Sequence, residues 1–193
     1  MTTGGVPEML YAFPIADTLS MSFQRYPCPG PAVVRDLPRS WGALPVVQEG
    51  PRGLVVPVPE GEAVWIGLSR PLDAPGWAVR VLAHLQPGGP TDAVAGGAAT
   101  DAAGDLTVLP VPPRRALEGI ARPAGGWWSF IRVPPGPDAP ACSGLEIWAQ
   151  RDGAPPEPPW SVHLVDPAAF TARTGTEVPP LAPDAPYGGW RLP

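Results

Sequence analysis

The chain has 193 residues, enough for one substantial hydrophobic core and too few for two full domains. Its formal net charge is −5, and all 13 basic residues are arginines without a basic track, so we predict no nucleic-acid partner. The 32 prolines and 23 glycines would indicate disorder in a polar chain, but 44% of the residues are hydrophobic and eight are tryptophan, which favours a folded protein.

The N-terminal sequence has neither the basic region nor the apolar run of a signal peptide, and no run of 18 apolar residues occurs. We therefore predict a cytoplasmic protein without membrane contact. Cys28 and Cys142 lie far apart in the sequence, and in a reducing compartment both are expected to be free thiols.

Residues 1–50 contain prolines at spacings that forbid a long helix and permit only short strands or extended chain. They also include aromatic side chains such as Phe13, Phe23 and Trp41, which are too apolar for a free tail. We expect this proline-rich segment to pack on the domain that follows it.

Residues 51–173 form a series of short β-branched or aromatic runs separated by turn sequences. The runs are GLVVPVP (53–59), EAVWIGL (62–68), WAVRVLAHL (77–85), DLTVLPV (105–111), WWSFIRV (127–133), GLEIWAQ (144–150) and SVHLVD (161–166). This pattern predicts an all-β fold, a single antiparallel β-sandwich or jelly-roll-like domain. Pro57 and Pro110 predict sheet edges or bulges for their strands.

Three other segments complete the chain. Residues 90–106 are small and flexible and are predicted to form a long loop. The sequence PAAFTART after Asp166 is compatible with a short helix or a last strand. Residues 174–193 form a proline-rich C-terminal extension, which we expect to lie on the domain, anchored by Tyr187 and Trp190.

The run 127–133 is apolar on both of its strand faces. One face carries Trp127, Ser129, Ile131 and Val133, and the other carries Trp128, Phe130 and Arg132. Because Arg132 needs water or a polar partner, we predict that Trp127 is the inner tryptophan. Trp128, Phe130 and Arg132 are then predicted to form a contact surface.

The outer face of the predicted strand 77–85 supplies the other candidate site residues, Arg80 and His84. Trp148, which shares a strand face with Glu146 and Gln150, is predicted to extend this surface as an aromatic contact residue. No metal-binding spacing of His and Cys, no nucleophile turn and no phosphate-binding loop occurs, so we predict no catalytic residue, metal or cofactor.

Four segments resemble a microbial family of β-rich proteins for which no activity is established. They are EAVWIGL, AVRVLAHL, LEGIARPAGGWWSFIRV and SGLEIWAQ, which together span roughly residues 60–150. The resemblance implies a β-rich domain and no functional residue. The chain departs from the family at PPGPDAPACS, where the family has a longer and more polar segment.

Two hypotheses follow. The first is a non-enzymatic binding or assembly module, in which an aromatic sheet face and the proline-rich termini contact another protein or a second copy of the chain. The alternative is a jelly-roll-type enzyme or a carbohydrate-binding domain, with its site on the outer sheet face around Arg80, His84, Arg132 and Trp148. A deep pocket of ionisable side chains favours the second hypothesis, and a flat apolar patch favours the first.

Overall fold

Strands are the main regular structure in the computed structural model, which describes residues 9–99, 105–155 and 157–180. The regular structure of these described residues is mostly β, with several antiparallel sheets, as the β-branched and aromatic runs predict, and includes one short helix. The strands in the described residues are β1 (Met9–Leu10), β2 (Phe13–Ala16), β3 (Leu19–Pro27), β4 (Val33–Val34), β5 (Val46–Glu49), β6 (Gly53–Pro57), β7 (Glu62–Ser69), β8 (Trp77–Gln86), β9 (Gly89–Asp92), β10 (Leu109–Val111), β11 (Ala116–Leu117), β12 (Ile120–Ala121), β13 (Trp127–Trp128), β14 (Ala141–Arg151) and β15 (Trp160–Val165). Helix α1 spans Pro167–Thr174.

These strands form three sheets. The largest has the order β1-β5-β6-β15-β14-β8-β10, with β9 also paired to β8, the second has the order β11-β7-β3-β2, and the third has the order β12-β13-β4. The pair β6–β15 is parallel, which corrects the expectation of purely antiparallel pairing. About a hundred residues separate these two strands, so no tight turn dictates their relative direction.

The two larger sheets share one hydrophobic core. In β8 the side chains of Val79 and Val81 are buried, whereas those of Arg80 and His84 are only half-buried on the opposite face, as the alternating sequence predicts. The buried cluster that forms this core, called the main core below, includes Phe130 and the following residues of the strands: Leu19, Met21, Phe23, Leu54, Val56, Val64, Ile66, Val79, Val81, Leu145, Ile147, Val162 and Leu164. Burying each such side chain contributes about 1.5 to 3 kcal/mol.

Two tryptophans connect the larger sheets through their indole nitrogens. Trp160 of β15 donates to the Ile15 carbonyl at 2.9 Å, and its ring meets Phe13 edge to face with centroids 5.0 Å apart. Trp77 of β8 donates to the Thr18 hydroxyl at 3.2 Å. Both rings are buried, so these aromatic residues fill the interior with their polar atoms satisfied.

The N-terminal segment forms longer strands than its prolines predict. Strand β3 has nine residues and pairs with β7 from Ser20 opposite Ser69 to Pro27 opposite Glu62. Pro14 lies before this strand and Pro27 is its last residue, so neither interrupts the ladder. Residues 19–27 therefore form a central strand of the second sheet.

The two strand prolines have different outcomes. Pro110 lies in β10 at the edge of the largest sheet, as predicted. Pro57 lies in β6, which is an interior strand, and this prediction was wrong. The residue is tolerated because the pairing of β6 with β5 ends at Val55, two residues before the proline.

The sequence PAAFTART forms a helix, the first of the two structures considered for it. The Asp166 carboxylate accepts a hydrogen bond from the Ala169 amide at 2.9 Å, Pro167 opens the helix, and Gly175 ends it in the left-handed conformation. The hydrogen bond from Ala169 is the main cause of the lowered pKa of Asp166.

Candidate functional site

The hairpin of β12 and β13 builds the floor of a surface cleft. Its turn is closed by two backbone hydrogen bonds, from the Arg122 amide to the Gly126 carbonyl at 3.1 Å and from the Gly125 amide to the Arg122 carbonyl at 3.0 Å. Gly126 has a φ of 72°, and a Cβ at this position would lie 2.6 Å from the Val34 carbonyl oxygen. Only glycine therefore allows the turn to lie this close to β4.

The turn places a guanidinium on an aromatic ring. The Arg122 Cζ atom lies 4.3 Å from the centroid of the Trp128 ring, within the range of a cation–π interaction. On the other side of the hairpin strand, Trp128 is opposite Val33 of β4. Trp128 is half-buried.

The cleft around this ring, called the Trp128 cleft, has a volume of about 400 Å³. Its lining comes from three separate parts of the chain: Gly30, Pro31, Val33, Arg35, Arg122, Trp128, Pro135, Gly136, Asp138 and Ala139. The charged side chains are two arginines and one aspartate, so the cleft is locally positive on a chain with a net charge of −5. An apolar floor with guanidinium groups suits a ligand that carries a carboxylate beside an apolar group.

A second cleft lies on the opposite face of β4. Val33 and Val34 point to opposite faces because they are neighbours in a strand, and Val34 lines a cleft of about 290 Å³ called the Tyr26 cleft. Its full lining is Tyr26, Pro27, Pro29, Val34, Pro38, Arg39 and Trp41. This lining is largely apolar, with Arg39 as its charged member.

The structure separates the predicted surface of Trp128, Phe130 and Arg132. The chain leaves the strand after Trp128, so the alternation predicted for residues 127–133 does not continue, and Phe130 and Ile131 are both fully buried. Phe130 belongs to the main core and pairs with Val64 of β7, so it is not a contact residue.

The prediction that Trp127 is the inner tryptophan was wrong. Both indole rings are half-buried, but Trp128 packs against the main core and also against the cluster of Tyr26, Ala32, Ala63, Ile131 and Ala139. Trp127 belongs to neither cluster. Arg132 does not line the Trp128 cleft, and its Nε donates to the Val58 carbonyl at 3.1 Å.

The outer face of the largest sheet carries two polar pairs. Arg80 donates to the Gln150 amide oxygen at 3.0 Å, and the His84 Nε2 lies 3.3 Å from the Glu146 carboxylate. These side chains lie on adjacent strands, as the alternation of β8 and β14 requires. They do not form part of either cleft.

Trp148 is buried, so it does not present the aromatic contact surface predicted for it. Leu106, from the loop after β9, covers Trp148 and Leu82 on the outer face of the sheet. The Asp92 carboxylate holds this loop by accepting hydrogen bonds from three amides, and the amide of Thr107 is the closest of them at 2.7 Å. A tertiary contact therefore removes the one tryptophan of this face from solvent.

The two cysteines are free thiols, in agreement with the prediction from sequence. Cys142 is fully buried, and burial raises the pKa of its thiol from 9.0 to about 12. Burial likewise raises the pKa of the half-buried Cys28 and raises that of the Tyr26 hydroxyl from 10.0 to about 12. These groups stay protonated in the folded protein at neutral pH.

The protein is expected to lose stability as the pH rises above 9. The unfolded chain releases the Cys142 proton near pH 9 and the Tyr26 proton near pH 10, while the folded chain retains both protons until about pH 12. Their contribution is therefore complete below pH 9 and falls progressively above it. Urea unfolding at pH 8 and pH 10.5 measures this loss, which should be smaller in Cys142→Ala. An equal loss in the variant and the wild type would contradict the assignment.

Comparisons with protein-family models, with curated proteins and with solved structures returned no match to this chain. The resemblance over residues 60–150 therefore stays an expectation. In the described residues no helix has the length and hydrophobicity needed to cross a membrane. In the same ranges no three His, Cys, Asp or Glu side chains are grouped so that they could hold a metal ion.

Sequence reasoning missed most of the Trp128 cleft. Arg35 lies about 90 residues before Arg122 in the chain, and Asp138 lies about 15 residues after it, so none of the three was a candidate from sequence. They meet only when β4 pairs with β13. A signal for part of the site was present in RPAGGWW. The two glycines indicate a tight hairpin turn, which places Arg122 near the strand that carries Trp128.

Proposed function

We propose that this protein is a non-enzymatic binding module that contacts another protein, or a second copy of itself, through the Trp128 cleft. The observation that carries the proposal is the Trp128 ring beneath the Arg122 guanidinium, in a cleft that Arg35 also lines. Aromatic and arginine side chains are enriched at the centres of protein interfaces, where they supply most of the binding energy.

The charged groups of the cleft favour binding over catalysis. Arginine does not lose its proton at physiological pH, so Arg35 and Arg122 are donors and not general bases. Asp138 is the single carboxylate among the side chains that line the cleft. Acid–base catalysis usually needs paired groups with matched pKa values, and this cleft does not supply a pair.

The shape and charge of the cleft favour an extended acidic segment of a partner protein. An apolar or proline side chain of that segment would lie on Trp128, while its carboxylate would meet the two guanidinium groups. The chain has 18 acidic residues, so a second copy also has suitable chemistry. The proline-rich termini belong to this proposal as further contact segments.

The architecture and location that accompany this function are also part of the proposal. The shared core of the two larger sheets supports a β-sandwich that carries the small sheet and its cleft on the side. The two free thiols are consistent with the reducing cytoplasm predicted from the sequence.

Carbohydrate binding is the second candidate function. Its support is the half-exposed Trp128 ring beside Arg35 and Asp138, since sugar rings stack on aromatic faces and hydrogen-bond to nearby charged groups. The outer-face site around Arg80 and His84 has less support, because Trp148 is buried beneath Leu106.

Selection of binding peptides from a random phage-displayed library tests the proposal. We expect the selected peptides to combine an acidic residue with a proline or aromatic residue. Calorimetry with one selected peptide should show affinity reduced by at least about tenfold in Trp128→Ala and in Arg35→Glu, the effect typical of residues central to an interface.

Trp127→Ala is the matched control, because Trp127 is on the same hairpin and does not line the cleft. Its affinity for the peptide should equal that of the wild type. The proposal is wrong if Trp127→Ala and Trp128→Ala weaken binding equally. If no peptide is selected and a glycan array binds the wild type but not Trp128→Ala, carbohydrate binding replaces protein binding as the function of the cleft.

A further inference from the structure

Another cleft lies where the chain crosses from the largest sheet to the second sheet. Strand β10 ends at the edge of the largest sheet, and β11 begins a few residues later at the edge of the second, where it pairs with β7. The cleft at this crossing, called the Arg115 cleft, has a volume of about 140 Å³. Its lining includes Ser69, Arg70, Leu72, Arg114 and Arg115.

Positive charge dominates the Arg115 cleft. Three of its lining side chains are arginines, and no acidic side chain is among the described residues that line it. The Arg115 guanidinium has no hydrogen-bond or ion-pair partner within the residues that the structure describes, and Arg114 is paired with Glu118 at 2.8 Å. The cleft is therefore strongly positive on a chain whose formal net charge is −5.

Hydrogen bonds fix the chain on both sides of this cleft. The Arg114 amide donates to the Pro110 carbonyl at 3.0 Å, and the Arg115 carbonyl accepts from the Leu68 amide at 2.8 Å. On the other side, the Arg70 Nη1 donates to carbonyls of the loop that follows it. Because the backbone that carries the three cations is already ordered, a ligand that binds them does not bear the entropy cost of ordering it.

We propose that the Arg115 cleft binds the phosphate group of a phosphorylated side chain, such as phosphoserine, on a partner protein. A phosphate monoester carries a charge of about −1.5 to −2 at neutral pH and three acceptor oxygens, so several guanidinium groups can share it. The Trp128 cleft, with two arginines and Asp138, has the charge for a single carboxylate. The Arg115 cleft has the charge for a dianion.

The size of the cleft and the exposure of Leu72 favour a phosphate that is carried on a polypeptide. Sites that enclose a whole small molecule usually have volumes of about 300 Å³ or more, so a cleft of about 140 Å³ suits a single group. Leu72 is 89% exposed and offers an apolar contact to a residue next to the phosphorylated one. Clusters of arginines recognise phosphorylated segments in several classes of binding domain.

This inference does not depend on the proposed function, because the Arg115 cleft and the Trp128 cleft share no lining residue. A protein with both clefts would contact an acidic segment at one surface and a phosphorylated segment at another. Phosphorylation of the partner would then control the second contact and leave the first unchanged.

Calorimetry of the full-length protein with a matched pair of peptides tests the proposal. One short peptide carries a phosphoserine flanked by leucines, and the other carries an unmodified serine at the same place. We expect the phosphorylated peptide to bind at least about tenfold more tightly at pH 7.5, as expected for hydrogen bonds between charged groups. Part of this advantage should be lost at pH 5, because the second pKa of the phosphate is about 6.

Three variants locate the binding. Arg115→Gln should weaken phosphopeptide binding about tenfold, and it should fold normally because the side chain is exposed and the contact with β7 uses the backbone. Leu72→Ser should weaken the leucine-flanked phosphopeptide and leave the affinity for inorganic phosphate unchanged. Arg35→Gln is the matched control, because it removes the same group from the Trp128 cleft, and its affinity for the phosphopeptide should equal that of the wild type.

Normal binding of the phage-selected peptide in Arg115→Gln would separate this proposal from the proposed function. Four results would overturn it. Equal affinity for the phosphorylated and unmodified peptides would show that phosphate is not recognised, and equal affinity for a peptide with glutamate in that place would show a carboxylate site. Inorganic phosphate bound as tightly as the phosphopeptide would show that the ligand is a free anion. Equal weakening by Arg115→Gln and Arg35→Gln would show that the binding does not occur in the Arg115 cleft.

Discussion

Phe130→Ala is expected to lower the free energy of unfolding by about 3 to 5 kcal/mol, the usual cost of truncating a fully buried phenylalanine. The ring has no exposed surface and lies in the main core, next to the bridge that Phe130 forms with Val64 of β7. Its removal loses apolar burial and leaves a cavity between the hairpin and the second sheet. Urea unfolding of the variant and the wild type at pH 7 measures the difference.

Trp127→Ala is the control for this experiment. The larger aromatic ring of Trp127 is half-exposed and belongs to neither core cluster, so its loss should cost no more than about 1.5 kcal/mol, well below the range for buried aromatic residues. Sequence alternation alone predicts the opposite order, with Trp127 as the inner residue. Equal costs for Phe130→Ala and Trp127→Ala would show that the chain does not leave the strand after Trp128.

The second large effect is expected at the buried pair of Arg25 and Glu62. Arg25→Met leaves a buried carboxylate without its partner and should cost about 3 to 5 kcal/mol, the range for breaking a buried ion pair from one side. The variant also loses the hydrogen bond to the Pro179 carbonyl. The double variant Arg25→Met with Glu62→Met should recover most of this loss, because no unpaired charge then remains buried.

Glu157→Gln provides the exposed comparison. The Arg52–Glu157 pair has a similar distance, 2.7 Å, but both side chains are at least one-third exposed, so its loss should cost about 1 kcal/mol or less. Unfolding curves of the wild type and the three variants give these values. If the double variant is no more stable than Arg25→Met, the burial of charge is not the cause of the loss.

Several elements follow from local sequence. The alternation of β8 places Val79 and Val81 inside because period-two patterning survives wherever one face of a strand meets a core. The helix after Asp166 could have been preferred over a strand. Asp166, Pro167 and Gly175 are the N-cap, first-turn and C-cap residues that a short helix uses.

Other elements depend on tertiary contacts that no local pattern contains. Trp148 lies on a strand face with polar neighbours, and only the loop held by Asp92 brings Leu106 over it. Residues 89–92 were predicted to lie in or beside a loop, but they form β9 because the edge of β8 is available for pairing. The expected anchors Tyr187 and Trp190 lie outside the described residues.

The candidate site was predictable only in part. Trp128 was identified because two adjacent tryptophans in a strand must face opposite sides. Its partners in the cleft come from β4, from the hairpin turn and from the loop of residues 135–139, which are distant in the sequence. Long-range pairing, which the sequence of one chain does not show, therefore completes the site.

The most direct test of the binding site is a titration followed by two-dimensional NMR of the full-length protein with a peptide from the phage selection. We expect the largest shift changes at the Trp128 indole N–H and at the amides of Val33 and Ala139, all of which line the cleft. The signals of Trp127 and of the outer face should change little. Largest changes at Arg80, His84 and Glu146, with the Trp128 signal unmoved, would contradict the proposed site and place binding on the outer face of the largest sheet.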